Sequence, residues 1–438
     1  MMKMYASKFP TARLFKYNDL FYEKVLEVPD EETGDEIVMG IKEDAWNDLL
    51  TLFKGSSSPG VPLMYTYPTN ADVKNDSSVF KHLVEDRIHR LLDMQMEYYD
   101  ENDVEHERDI SFLDSLQVDP MEAVLLVQNG QSDPCRVLTK NEPHKIGKRT
   151  RIITSASAVD AMIDLILFYP QMRAEIMKVI AGTDNDEGWK QPSSIGIDLN
   201  TNKGKEAIYT TGLNKFCGKD AVDDDVQAYD VSYNVYCHKM YDEFWTCKGK
   251  ECNQEEWWWD LKRARMWVKV HQLFMLSDGT LLATDRARLC SGERTTSHGG
   301  SCVRGYLPTF TAMSPVILES MVNGDDCVEQ TGWESFDQVK DRYARFGFVM
   351  TDINRFEPSK REFHFCSHKF TPKGHIPETY GKALFNLLNA PRDWLQLNDF
   401  YNRYVVAGLL SGEELKPFLT NCTREAIEAG FRVNENSQ

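Results

Sequence analysis

Met321-Val322-Asn323-Gly324-Asp325-Asp326-Cys327-Val328 sets two adjacent carboxylates beside a glycine and flanks them with apolar pairs. Asn-Gly is a strong hairpin signal, because both residues tolerate the positive φ that a tight two-residue turn demands. The stretch therefore predicts strand, turn, strand, with Asp325 and Asp326 on the tip. Like charges held that close repel unless a cation neutralises them, which makes the tip a metal-site candidate. Taken alone it is also readable as a solvated surface turn, and the rest of the chain has to decide.

A second carboxylate cluster, Asp223-Asp224-Asp225-Val226-Gln227-Ala228-Tyr229-Asp230, precedes a helix expected to start near Ser232. Asp225 and Asp230 stand five positions apart across a strand-to-helix junction, so both can reach a common site beyond the strand's end. Phosphoryl transfer gives that spacing a meaning. Two divalent cations about 3.5 to 4 Å apart activate the attacking hydroxyl and stabilise the leaving oxygen, and carboxylates from separate elements bridge them. Asp225 and Asp325 are the expected bridging pair. The competing reading makes Asp223 to Asp225 an acidic run that caps a helix, as the helix dipole favours. A third segment, Ser291-Gly292-Glu293-Arg294-Thr295-Thr296-Ser297-His298-Gly299-Gly300-Ser301, reads as a small, hydroxyl-rich loop before the apolar stretch 303–313. Small residues let backbone approach a ligand closely, and the hydroxyls of Ser291 and Thr296 are placed to touch a sugar or base.

At 438 residues the chain exceeds the usual size of one core, and its 42% hydrophobic and 11% aromatic content can bury a large one. Its ten cysteines form no dense disulfide pattern and no basic-led apolar leader opens the chain, so a reducing cytosolic setting is expected. The apolar run 162–169 carries Asp164 and is too short to span a bilayer. A net charge of −18 argues against indiscriminate nucleic-acid binding. Charge is segregated, however. Stretches 29–36 and 100–109 are acidic, whereas Arg136, Lys140, Lys145, Lys148, Arg149 and Arg151 crowd one segment against Glu142 alone. That strip lines a local basic groove or is only a solubilising hairpin. The alternation of Arg149 and Arg151 with Thr150 and Ile152 suits a strand that points its arginines to one face.

Periodicity predicts helices over 80–99, 157–177 (broken near Pro170) and 233–245, and two more over 393–406 and 411–418 in a small C-terminal lobe. Residues 55–62, Gly-Ser-Ser-Ser-Pro-Gly-Val-Pro, cannot be helical. Residues 274–284 read as a hairpin turning at Asp278-Gly279, and Trp257, Trp258 and Trp259 read as packing rather than a base-stacking platform. His364-x-Cys366-x-His368 and Cys247-x4-Cys252 lack the paired spacing of a structural zinc site, so buried cysteines and a turn histidine are expected there.

In this order the segments resemble the RNA-dependent RNA polymerases of positive-strand RNA viruses, and are most similar to the sobemovirus, polerovirus and barnavirus lineage. Ser58-Pro59-Gly60-Val61-Pro62 resembles that lineage's template-entry loop, motif G. Lys140-Asn141-Glu142-Pro143-His144-Lys145, with Arg149-Thr150-Arg151-Ile152-Ile153, is similar to motif F, whose basic residues hold the incoming triphosphate. Asp225-x4-Asp230 fits motif A, Ser291-Gly292-x3-Thr296 motif B, and Gly324-Asp325-Asp326 motif C. Residues 347–355 resemble motif D, and Phe365-Cys366-Ser367-His368 the primer-grip turn, motif E. Two departures stand out. Gly300 occupies the place where the family usually carries an Asn that helps test the ribose 2′-hydroxyl, with His298 or Ser297 as possible substitutes. In motif D, Arg355 falls nearest the family's general-acid Lys, and arginine is a poor proton donor, which leaves Lys360 as the candidate.

The resemblance implies an α+β right hand: fingers from 1–215 and 246–289, a palm with an antiparallel sheet from 216–245 and 290–370, and a short thumb from 371–438. It implies template-directed RNA synthesis from ribonucleoside triphosphates, replicating a viral RNA genome. Asp225, Asp325 and Asp326 would hold two Mg²⁺ or Mn²⁺ ions, and Lys360 would serve as acid. Lys140, Lys145, Lys148, Arg149, Arg151, Asp230, Ser291, Gly292, Thr296 and Gly300 would bind the nucleotide. Ser58, Pro59, Gly60, Cys366 and Ser367 would contact template and nascent RNA. Other viral replication proteins are the further partners implied, with the host cytoplasm, at membrane-associated replication complexes, as the setting. A reverse transcriptase-like enzyme and a non-catalytic RNA-binding relative are the competing readings.

Overall fold

The computed structural model describes residues 1–26, 36–94, 97–99, 105–107, 118–140, 151–185, 187–199, 201–331, 334–356 and 361–377. Lys145, Lys148, Arg149 and Lys360, the helices expected over 393–406 and 411–418, and nearly all of the expected thumb lie outside these residues. The chain divides into two compact units, Met1–Lys140 with Thr150–Glu175 and Ala228–Val303, and Asn141–Arg149 with Ile176–Gln227 and Arg304–Gln438. This is a division by compactness, not one into fingers, palm and thumb.

The second unit is built on a four-stranded antiparallel sheet in the order Ser320–Asn323, Asp326–Gln330, Ala221–Val226, Met350–Phe356. The apolar residues flanking the Gly-Asp-Asp stretch form its strands, and Met321, Val322, Cys327 and Val328 are buried. Gly324 takes the positive φ of +67° that closes the hairpin, with Asn323 paired to Asp326. Asp223 to Asp225 lie on a strand, so they do not cap a helix. Pairing sets Cys327 opposite Asp224 and Val328 opposite Asp223. Side chains alternate along a strand, so Asp223, Asp225 and Asp326 share one face while Asp224, Cys327 and Glu329 share the other. Beside the sheet, a three-stranded ribbon (Phe363–Phe365, His368–Thr371, Gly374–Pro377) stacks Phe363 on Phe370 at 5.1 Å and shares a core with Ile208, Phe216, Met321 and Val328.

The first unit holds a four-stranded sheet in the order Ile152–Ser155, Cys135–Thr139, Leu273–Met275, Leu281–Ala283, and the last two strands are the hairpin expected at Asp278-Gly279. Helices Ser77–Leu92, Val235–Glu251 and Glu256–Val270 surround a core in which Trp258 is fully buried and donates its indole N–H to the Leu167 carbonyl at 3.2 Å. Trp257 and Trp258 therefore pack, as expected.

Three local expectations fail for tertiary reasons. The first helix stops at Leu92, and Glu97–Tyr99 pairs with Glu105–Glu107 as a strand, because tyrosines suit a pleated surface once a partner strand is available. Ala158–Gly182 is one helix with Pro170 inside it. An interior proline costs about 3 kcal/mol. Ile166, Leu167 and Phe168 just ahead of it are fully buried. At about 1.5–3 kcal/mol per buried side chain, three of them outweigh the proline. The loop expected over 291–301 ends early, since helix Thr296–Thr311 begins inside it. Gly299 serves close packing there, since a Cβ would stand 3.3 Å from the Tyr241 ring, whereas one on Gly300 would make only ordinary contact with the Tyr229 ring at 3.5 Å.

Candidate functional site

The strand alternation brings Asp225 and Asp326 to one face, where they line a cavity of about 620 Å³ with Asp223, Asn354, His364 and Ser367. Asp325 stands in the turn itself, and Asp225, Asp325 and Asp326 are all half-buried. Asp223 is held in place, accepting from Asn354 Nδ2 at 2.7 Å and from the His364 backbone N–H at 3.1 Å. The Cys366-Ser367 turn reaches the same place. Its backbone N–H at Cys366 donates to Asp326, and the Cys366 thiol bonds Asn323. Both turn residues have positive φ, +49° and +56°, without a glycine between them. The left-handed conformation costs about 1–2 kcal/mol per residue, and the pairing of Phe365 with His368 holds it here.

Burial and then the neighbouring Asp325 and Asp225 carboxylates push the Asp326 carboxyl from 3.8 up to about 7. The charge of Arg304 offsets this only in part. Hard carboxylate oxygens converging on one cavity suit Mg²⁺ or Mn²⁺, whose binding would displace the proton. Among the described residues, the only three ligand side chains with donor atoms mutually within 4.8 Å are Asp224, Cys327 and Glu329, on the opposite face. That cluster is not a metal centre, because the Arg304 guanidinium already sits in it, with Nη2 on Asp224 and Nη1 3.2 Å from Glu329.

A pH prediction follows from Asp326. Its folded pKa lies above its unfolded one, so between about pH 4 and pH 7 the folded chain keeps a proton that the unfolded chain has lost, and stability falls as pH rises across that window. A divalent cation restores the lost stability where the carboxylate is ionised. Mg²⁺ is therefore expected to raise the melting temperature more at about pH 8 than at about pH 6. Equal shifts in thermal melts at the two pH values would remove Asp326 from the cation site.

In the first unit, the motif B loop is fixed from two sides. Thr154 N–H donates to Ser291 Oγ and Ser291 N–H donates to Thr154 Oγ1, each at 2.8 Å. A Cβ on Gly292 would lie 2.2 Å from the Thr154 carbonyl oxygen, so only glycine fits there. Thr296 donates its hydroxyl to the Cys290 carbonyl. Both hydroxyls expected to meet a sugar are thus already engaged in shaping the loop. On its other side, buried Lys269 donates to Glu293 at 2.7 Å, to Asp164 at 2.9 Å and to Thr295 at 2.9 Å.

Asp230 lies in the short helix Tyr229–Ser232, where its carbonyl accepts from Leu289 N–H at 3.0 Å. Tyr229 donates its hydroxyl to the Gly300 carbonyl at 3.0 Å. His298 does not replace the missing Asn: it is buried, with Nε2 2.9 Å from Glu175 and Nδ1 2.9 Å from the Tyr241 hydroxyl. Ser297 is exposed. Lys140 and Arg151 are exposed at one end of the Cys135–Thr139 and Ile152–Ser155 pair, joined by a 2.8 Å backbone bond. In the segment Ser58 to Gly60, expected to contact the template, the Pro59 carbonyl accepts from Ala158 N–H at 2.8 Å. Arg355 lays its guanidinium 5.7 Å over the Phe336 ring. Sequence reasoning missed Asn354, Arg304, Glu329 and Lys269, for which no local pattern gave a signal.

No protein-family model matches the chain. It is 27% identical over 347 residues to the replicase polyprotein P2AB of Southern bean mosaic virus, across 76% of this chain and 31% of that polyprotein. It is 28% identical over 360 residues to protein P1-P2 of pea enation mosaic virus-1, across 77% and 26% of the two chains. Protein P1-P2 of potato leafroll virus is 29% identical over 295 residues, across 61% and 24%. The chain spans about a quarter to a third of the length of these curated relatives. The crystal structure of the insertion loop deletion mutant of the RNA-dependent RNA polymerase of a human picorbirnavirus superposes with a TM-score of 0.46 at 12% identity, covering 84% of this chain and 77% of that one. The expected similarity to sobemovirus and polerovirus replicases is thereby found, and the mixture of helices and largely antiparallel sheets is of the α+β class.

Proposed function

From its similarity to the replicases of sobemoviruses and poleroviruses, we propose that this chain is an RNA-directed RNA polymerase with a right-hand fold, joining ribonucleoside triphosphates on an RNA template. The observation that carries the reading is the placing of Asp225 and Asp326 on one cavity beside Asp325, where burial first, and then the neighbouring carboxylates, push the Asp326 carboxyl up to about 7. When bound by these three residues, two Mg²⁺ or Mn²⁺ ions supply a lowered pKa for the primer 3′-hydroxyl and neutralise the triphosphate. The chain's own groups do the rest. Lys140 and Arg151, with Lys145, Lys148 and Arg149, bind the phosphates by charge. Asp230, beside the loop that Ser291, Gly292 and Thr296 shape, orients the ribose, and the Gly300 carbonyl anchors the Tyr229 hydroxyl next to it. Base identity comes from pairing with the template, so no side chain has to read a base. Ser58, Pro59 and Gly60 guide the template, Cys366 and Ser367 hold the nascent strand, and Lys360 donates a proton to the leaving pyrophosphate.

No described helix is long and apolar enough to cross a membrane. As working partners we propose other viral replication proteins, and as setting the membrane-associated replication complexes of the host cytoplasm. The decisive experiment extends a labelled RNA primer on an RNA template with Mg²⁺ or Mn²⁺, comparing wild type with Asp325→Ala. Extension by the wild type alone is expected, and equal extension by both sinks the metal assignment. RNA binding without extension in either protein would favour a non-catalytic relative. Substituting deoxynucleotides tests sugar selection, and their efficient incorporation would point to a reverse transcriptase-like enzyme.

A further inference from the structure

Helix Thr296–Thr311 carries a fully buried arginine, Arg304, against the face of the sheet opposite Asp225 and Asp326. Its guanidinium joins three elements. Nη2 pairs with Asp224 of Ala221–Val226, and Nη1 lies 3.2 Å from Glu329 of Asp326–Gln330 and 2.9 Å from the Tyr343 hydroxyl of Phe336–Ala344. Tyr343 donates to Glu329, and Arg342 pairs with Glu329 and, at 3.0 Å, with Glu334. Asp224, Glu329, Arg342 and Tyr343 are all buried.

A buried network of this kind contributes little to stability as such, because apolar residues of similar volume commonly fold as well or better, by about 1–4 kcal/mol. What a charged fork adds is direction. A guanidinium meets its carboxylates in its own plane and over a narrow range of angles. Here the two carboxylates share strands with the candidate cation ligands: Asp224 directly precedes Asp225 on one strand, and Glu329 lies three residues beyond Asp326 on the strand paired to it. Sliding or rotating one strand against the other would displace Asp225 from Asp326 and break the fork at the same time. Asp225, Asp325 and Asp326 repel one another without a cation, and the fork resists that splaying from behind.

We propose that Arg304 is a positioning residue, which fixes the spacing of Asp225 and Asp326 by tying Asp224 to Glu329 across the back of the sheet. This rests on reading Asp225, Asp325 and Asp326 as cation ligands. The test titrates Mg²⁺ by calorimetry into the full chain, below the unfolding temperature of each protein, for wild type, Asp325→Ala, Arg304→Lys and Tyr343→Phe. Arg304→Lys keeps the charge and loses the fork, and its half-saturating Mg²⁺ concentration is expected to rise about tenfold. Tyr343→Phe removes one hydroxyl from the network and is expected to shift the same way by less. Primer-template affinity should stay near the wild-type value in both. Lower melting temperatures with Mg²⁺ half-saturation unchanged in both variants would overturn the proposal, leaving Arg304 a purely structural residue. Should Arg304→Lys fail to fold, Tyr343→Phe decides alone. If wild type shows no Mg²⁺ binding that Asp325→Ala removes, it is the cation-site reading that fails, and with Arg304 intact the two failures are distinct.

Discussion

Replacing Asp225 with alanine is expected to lower RNA-templated incorporation by about a thousandfold or more, with the fold intact. The reasoning starts from charge. A cation-held triphosphate gains several kcal/mol of transition-state stabilisation from its carboxylate cradle, and each 1.4 kcal/mol lost is about a factor of ten. Asp225 is half-buried on the cavity-lining face of its strand, and it contributes to the upward shift of Asp326. Removing it relieves repulsion in the cation-free protein. The melting temperature without Mg²⁺ should therefore hold or rise while activity collapses. Single-nucleotide incorporation and thermal melts on the same preparation check this. A fall in melting temperature matching the loss of activity would show that Asp225 is structural.

Lys269→Met is expected to be the most destabilising of the single substitutions considered outside the Gly-Asp-Asp sheet, at about 3–5 kcal/mol. Lys269 is buried, and its ammonium holds the equally buried carboxylates of Asp164 and Glu293. Asp164 keeps Arg265, 2.9 Å away, whose guanidinium with Lys269 holds the carboxyl below its usual range despite burial. Among the described residues, Glu293 would keep the hydrogen bond from Gln272, an uncharged donor at 2.7 Å, and the more distant charge of Arg265. An uncompensated buried carboxylate is what makes breaking such a network costly, whereas wholesale apolar replacement is cheap. Urea unfolding of wild type and variant measures the loss. Because Glu293 belongs to the 291–295 loop, the KM for nucleotide should also rise in any variant population that remains folded. A loss under 1 kcal/mol would mean that Glu293 finds another partner or takes up a proton.

Much of this was legible in the chain itself. Asn323-Gly324 announces its hairpin because the positive φ that Gly324 supplies is a local property, not one of the fold, although the turn residues prove to be Gly324 and Asp325. The hairpin at Asp278-Gly279 was readable for the same reason, and the helix expected over 233–245, found at Val235–Glu251, from its apolar stripe. Helix Thr296–Thr311 was misread as loop over its first turns, because Gly299 and Gly300 look permissive until Tyr241 and Tyr229 are seen packed on them. Pro170 likewise looks like a breaker until the burial around it is known. His298, considered for sugar recognition, turned out to face Glu175, a residue 123 positions away.

The sequence by itself determined the order of its motifs, the adjacency of Asp325 and Asp326, and the turn that presents them. These are local, set by backbone dihedrals and by side chains close along the chain. Only the tertiary structure decided which aspartates of the 223–225 run do what. Alternation along a strand separates Asp225 from Asp224, but it does not say which face meets the cavity and which meets a buried arginine. That choice was made by Arg304, 80 positions from Asp224, and by Glu329 on the neighbouring strand. A buried charge must find its counter-charge wherever the fold provides it, so its partner is invisible until the chain has folded.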